Sequence, residues 1–238
     1  MTLPSVRNAL RPLPYPLITA VSDRRRLAAS DAEACDRLVD WAAVVARAGV
    51  DIIQVREHGL TDAALAAVVR GIRGATAGTA AAVLVNDRAD VALVTGCAGV
   101  HLPSSAPPAA AVRRAAPGDF WIGRSVHDGD DLPVSTRGCD YVTFGTVFPS
   151  ASKPAGHRAS GLDALRRACG ATAVPVQAIG GITLENVHAV ASAGAAGIAA
   201  ISLFIDGWPS RGSADRFAAA VAALRAAFAG ARERTSST

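Results

Sequence analysis

Phe120-Trp121-Ile122-Gly123-Arg124-Ser125-Val126-His127 is the stretch whose reading decides the fold. Its first residues are bulky and apolar, as in a buried strand. Its last residues turn polar, as a strand does on leaving a core and entering a site. Runs of this kind recur along the chain, each before a helix-like stretch. The candidate strands are Tyr15–Ala20, Asp51–Arg56, Ala82–Asn86, Gly99–Leu102, Phe120–Ser125, Tyr141–Phe144, Val174–Ile179 and Gly197–Ile201. The candidate helices are roughly 31–48, 61–73, 88–95, 108–115, 161–169, 183–193 and 213–229, and the polar segment 128–137, interrupted by Pro133, is the least regular connection. Near-continuous apolar runs separated by helices predict a parallel sheet covered on both faces. Eight such units in 238 residues favour a single (β/α)8 TIM barrel. A doubly wound open sheet is the alternative, but no GxGxxG follows the first strand. The carboxyl ends of barrel strands form the mouth where chemistry happens, and His127 ends the fifth strand.

Half of the chain is hydrophobic, enough for a large core, and no apolar run approaches a membrane span. With no secretory apolar region at the N-terminus, the expectation is a soluble, cytoplasmic protein. The net charge is +4, but Arg7, Arg11, Arg232 and Arg234 against Glu233 place three of those charges in the ends. The body is nearly neutral, which argues against a nucleic-acid surface. Arg24-Arg25-Arg26 reads as a solvated loop. Residues 1–14 and 230–238 read as tails around a barrel domain at 15–229, with no linker dividing it. Cys35, Cys97, Cys139 and Cys169 show no CxxC spacing, so neither zinc nor a redox motif is indicated.

Several residues point to anion chemistry. Gly180-Gly181 follows the seventh strand, and Ile201-Ser202 ends the eighth. These are the loops where many barrels hold a phosphate on backbone N–H groups, although the glycine pair also suits a tight turn. Lys153 is the only lysine among 24 basic residues and lies in the longest internal loop, 145–160. It reads either as a mobile charge for an anionic ligand or as a surface residue. Arg56 closes the second strand, where its guanidinium would clamp a carboxylate or phosphate, or pair with Glu57 or Asp87. Asn86-Asp87 ends the third strand; a lone carboxylate is a poor Mg²⁺ site without a second oxygen ligand nearby. His127 either moves protons near neutral pH or is a satisfied structural residue. His101 reads as structural, and no GxSxG nucleophile motif is present.

Val85-Asn86-Asp87-Arg88, Gly99-Val100-His101-Leu102, Phe144-Gly145-Thr146-Val147-Phe148-Pro149, Ser152-Lys153-Pro154 and Ala178-Ile179-Gly180-Gly181-Ile182 resemble the thiamine-phosphate synthase superfamily. The resemblance covers roughly residues 15–205 and implies a β/α barrel acting on phosphorylated precursors of thiamin. Two branches differ. The synthase joins a pyrimidine pyrophosphate to a thiazole phosphate and needs Mg²⁺. Its second strand reads like Q-x-R-E-K and its fourth like V-H-x-G-Q-x-D, the final Asp being a metal ligand. Here His58 replaces the lysine, and Leu102-Pro103-Ser104-Ser105-Ala106 lacks that Asp. The other branch, TenI-like thiazole tautomerase, resembles Leu102-Pro103-Ser104 followed by Ile122–His127.

On these departures the resemblance implies an isomerase. It would shift a proton on a phosphorylated dihydrothiazole carboxylate to give the aromatic thiazole. His127 would be the acid/base. Gly180, Gly181, Ile201 and Ser202 would hold the phosphate, and Arg56, Lys153, Ser104 and Asn86 would line the substrate. No cofactor or metal is needed for that shift; Mg²⁺ enters only if the chain is the synthase. The expected partner is a small phosphorylated thiazole, with a homodimer implied by the resemblance. The alternatives are the Mg²⁺-dependent transferase and a non-catalytic phosphate-binding regulator on the same fold.

Overall fold

The computed structural model describes residues 13–150, 156 and 158–236. Eight parallel strands close in sequence order into a barrel. They are β1 (Leu17–Val21), β2 (Ile52–Val55), β3 (Ala82–Asn86), β4 (Gly99–Leu102), β5 (Trp121–Val126), β6 (Tyr141–Gly145), β7 (Val176–Ile179) and β8 (Gly197–Ala200). Closure is made by β1, which pairs with β2 on one side and β8 on the other. The helices are α1 (Asp31–Arg47), α2 (Asp62–Ala75), α3 (Ala89–Val94), α4 (Ala109–Ala115), α5 (Leu132–Ser135), α6 (Gly161–Gly170), α7 (Val187–Ser192), α8 (Ser202–Ile205) and α9 (Ser213–Ser236). The expected TIM barrel is the fold.

The period of two along each strand separates two cores. Outward residues such as Ile18, Ile53, Val85, Val100, Ile122 and Val142 pack under the helices. Inward residues Leu17, Ile52, Leu84, Trp121 and Tyr141 fill the amino end of the barrel. Toward the mouth the interior turns polar, and hydrogen bonds link its groups across strands. Buried Gln177 donates to the Leu17 carbonyl at 2.9 Å and to Thr19 Oγ1 at 2.8 Å. Such a layer specifies one arrangement, because a buried amide without partners is costly.

Local signals start the longer helices. Ser30 accepts from Glu33 N ahead of α1, and Thr61 accepts from Ala64 N ahead of α2. Leu38, Trp41, Ala42 and Val45 form the buried stripe of α1. The Trp41 indole also donates to the Phe204 carbonyl at 2.6 Å, tying α1 to α8.

Some boundaries differ from the expectation. Residues 128–137 contribute one short helix, α5, because Pro133 fits only at its start. Residues 183–186 form a turn instead of helix: the Asn186 side chain accepts from Thr183 N at 2.9 Å. Residues 230–236 continue α9, and Ala231 is buried against the barrel. The arginine triplet is not a solvated loop throughout. It forms a single 3-10 turn whose first member, Arg24, is 1% exposed and paired with Glu57.

Candidate active site

The carboxyl ends of the strands bring most of the expected site residues to one rim. At β2, Gln54 is inside the barrel and its Nε2 donates to Asn86 Oδ1 of β3 at 2.9 Å. This bond leaves the Asn86 amide N–H groups and the Gln54 carbonyl for a ligand. Gln54 was not singled out in the sequence, although its spacing of two from Arg56 puts both on the inward face. Arg56 is exposed at the rim, and its backbone N–H donates to Ser22 Oγ at 2.9 Å. The alternative of an ion pair with Glu57 does not form. Glu57 turns instead to Ser22 and to the backbone and guanidinium of Arg24. Burial pushes the Glu57 carboxyl up, against the pull of Ser22 and Arg24. Arg56 thus keeps its charge free of that carboxylate.

At β5, Ser125 lies on the inward face above Gly123, and His127 follows just past the strand end, where it borders a cleft with Leu132, Phe144, Ala164 and Arg167. His127 is exposed and shares a hydrogen with the Gly145 carbonyl through Nδ1 at 2.7 Å. A carbonyl only accepts, so Nδ1 carries the proton and Nε2 is the acceptor. Ser125 Oγ lies 3.0 Å from His101 Nε2. Ser125 is a polar rim residue that the sequence reading passed over; the alternation through Gly123, Ser125 and His127 was its signal. Arg124 faces the other way. It donates to the carbonyls of Ser104, Ala106 and Pro107 and so pins the loop after β4. Ser104 itself is exposed on that loop.

After β7, Gly180 and Gly181 have φ of 98° and 64°, a backbone that side chains rarely adopt. A Cβ on Gly180 would overlap Thr146, and one on Gly181 would overlap the Pro149 carbonyl. The glycines therefore let the loop after β6 pack directly on the loop after β7, with Phe148 N donating to Gly180 O at 3.0 Å. The glycine pair thus makes the tight turn. The N–H groups of Gly181 and Ser202 take no part in the turn and loop hydrogen bonds of the described residues. Asn186 Nδ2 donates to the Gly181 carbonyl at 2.8 Å. Arg26 crosses from the loop after β1 and donates to Ser202 Oγ at 3.2 Å. It also pairs with Asp206. Lys153 lies outside the described residues.

Asp87 is exposed at the end of β3 with φ of 66°, and Ala106 stands where the resemblance puts a second ligand. Among the described residues no group of three His, Cys, Asp or Glu residues is placed to hold a metal ion. Among those residues, too, no helix is long and apolar enough to cross a membrane. A cavity of about 520 Å³ opens at the opposite, amino-end face, between Arg73, Thr79, Cys97 and Asp119. It is remote from the rim where the strands present their polar groups.

Fold and rim together define a β/α barrel whose strand ends carry amide, hydroxyl, guanidinium and free backbone N–H donors, a set suited to phosphorylated ligands. The chain belongs to the thiamine monophosphate synthase family, whose profile matches residues 27–204. It is similar to the thiamine-phosphate synthase of Roseiflexus castenholzii, 34% identical over 227 residues, covering 93% of this chain and 96% of that protein. It is also similar to the thiamine-phosphate synthase of Anaeromyxobacter dehalogenans, 40% identical over 182 residues, covering 75% of this chain and 81% of the relative. Among solved structures, the thiamine phosphate pyrophosphorylase of Pyrococcus furiosus matches with a TM-score of 0.72 at 28% identity, covering 91% of this chain and 98% of that one. These relatives correct the isomerase expectation. They are named for a transferase, and the chain, with His58 and Ala106 as they stand, is similar to them over 93% and 75% of its length. Two altered positions did not outweigh similarity along nearly the whole chain.

Proposed function

We propose that this protein is a thiamine-phosphate synthase, a transferase that joins a pyrimidine diphosphate to a thiazole phosphate and releases inorganic diphosphate. The observation that carries this reading is the 34% identity to a named synthase across 93% of the chain. The partner is accordingly a small phosphorylated substrate.

The reaction sets the demands on the site. The methylene C–O bond to the diphosphate breaks, and its electron pair leaves with the diphosphate. The lone pair of the thiazole nitrogen forms the new C–N bond. That nitrogen has no proton to lose, so the transfer needs no general base. It needs donors where negative charge grows on the leaving oxygen. We assign that task to Arg56 just after β2, the Asn86 amide of β3 and Ser125 of β5, and, from the sequence alone, to Lys153. The Gly181 and Ser202 N–H groups are assigned to the thiazole phosphate. Arg56 supplies positive charge on the chain itself, whereas burial and the charges of Arg56 and Arg25 hold the His58 imidazole pKa below its ordinary value, and no step is assigned to a resident metal.

The test is product formation from the pyrimidine diphosphate and thiazole phosphate with added Mg²⁺. Thiamine phosphate and inorganic diphosphate in equal amounts are expected. Intact protein that forms neither would overturn the assignment.

A further inference from the structure

Below Ser125 lies a hydrogen-bonded chain that the transfer reaction does not use directly. Tyr141 and His101 are 0% and 2% exposed inside the barrel. The Tyr141 hydroxyl is 3.1 Å from His101 Nδ1, and His101 Nε2 is 3.0 Å from Ser125 Oγ. Room for this chain is made by Gly123, since a Cβ there would overlap the Tyr141 ring. Gly123 is two residues below Ser125 on the same face, so the glycine that admits the ring also sets the hydroxyl above it.

We infer that Tyr141 and His101 are positioning residues that hold the Ser125 hydroxyl as a donor aimed into the barrel mouth, toward an oxyanion such as the leaving diphosphate. The direction of the chain follows from what each group must satisfy. Among the described residues His101 Nδ1 is the hydrogen-bond partner of the Tyr141 hydroxyl. If Nδ1 carried the proton, the Tyr141 hydrogen would be buried without an acceptor, which is unfavourable. Tyr141 therefore donates to Nδ1, and the imidazole proton sits on Nε2. Nε2–H donates to Ser125 Oγ. The serine then has its own hydrogen left, and the open direction for it is the mouth, because Ser125 is half-buried while the groups beneath it are enclosed. A neutral imidazole suits this role: burial pushes His101 down to about 3, so it keeps one donor and one acceptor at neutral pH. Burial likewise pushes the Tyr141 phenol up, which keeps its hydrogen in place.

The inference rests on the transferase reading only for the identity of the anion, so its test uses inorganic diphosphate and the intact protein. Nitrogen-15 NMR of His101 at neutral pH is expected to show the proton on Nε2. Ser125→Ala and Tyr141→Phe are each expected to weaken diphosphate binding by about tenfold, the size of one hydrogen bond to a charged group. The double variant is expected to bind no more weakly than the worse single variant, because both changes remove the same donor. His101→Gln, which keeps a donor near the Nε2 position, should retain more affinity than His101→Leu. A proton on Nδ1 would overturn the inference. So would a Tyr141→Phe variant that binds diphosphate like wild type while Ser125→Ala does not. Diphosphate binding with this pattern, in a protein that forms no thiamine phosphate, would support the relay and remove the transferase reading.

Discussion

At the scale of single residues, the two rim groups His127 and Arg56 separate charge stabilisation from proton transfer. His127 is held at Nδ1 by the Gly145 carbonyl, yet the proposed transfer moves no proton there. His127→Asn is therefore expected to leave thiamine-phosphate formation within about threefold of wild type, whereas loss of a true acid/base typically costs about 10²–10⁴-fold. Steady-state rates with both substrates check this, and a hundredfold fall would show a proton step at the rim. Arg56→Gln should instead lower kcat by about 10–100-fold with the fold intact, since one charge-assisted donor is worth about 1.5–3 kcal/mol. A rate unchanged in that variant would mean that Arg56 points away from the diphosphate. Both residues were legible in the sequence as polar groups ending strands. Their roles were not, because a strand end says where a side chain stands and not which bond is made beside it.

The elements explain why the glycines after β7 matter twice. Gly180 and Gly181 shape the loop, and the loop after β6 is laid directly on it. Gly181→Ala places a methyl group against the Pro149 carbonyl on a backbone at φ of 64°. The expected loss of stability is about 1–3 kcal/mol, read as a lowered midpoint in denaturant. Weaker binding of thiazole phosphate should accompany it, because the same shift moves the Gly181 N–H. Full stability with full affinity would show that the two loops are free to part. Element boundaries were legible where capping or apolar period was strong, as at Ser30 and along α1. They were not legible at 183–186, where the Asn186 side chain competes with the helix for a backbone N–H.

For the whole molecule, the polar interior links acid stability to one buried histidine. Burial depresses His101 from 6.5 to about 3 in the folded chain. The unfolded chain therefore binds one more proton between these values, and stability is lost as pH falls through that window. The slope for one proton is about 1.4 kcal/mol per pH unit. Between pH 7 and pH 5 wild type should lose about 2 kcal/mol more than His101→Gln, measured by denaturant unfolding at both pH values. Equal losses in the two proteins would show that His101 is accessible to protons in the fold. The Arg24–Glu57 pair belongs to this scale as well. It was hidden in an arginine triplet that looks solvated in one dimension and is packed between two loops in three.

The alternation of apolar runs and helices determined the barrel from sequence alone, because each strand needs cover on both faces and eight of them close on themselves. The same periodicity determined that Arg56, Asn86, His127 and the glycines after β7 would share one rim. Tertiary structure decided the rest. It paired Gln54 with Asn86, turned Glu57 from Arg56 to Arg24, sent Arg124 outward to the loop after β4, and joined Tyr141, His101 and Ser125. These partners lie on different strands, and which of them meet depends on the register and closure of the sheet. Hydrogen-bond partners are chosen by distances of about 3 Å, and local sequence pattern carries no such distance.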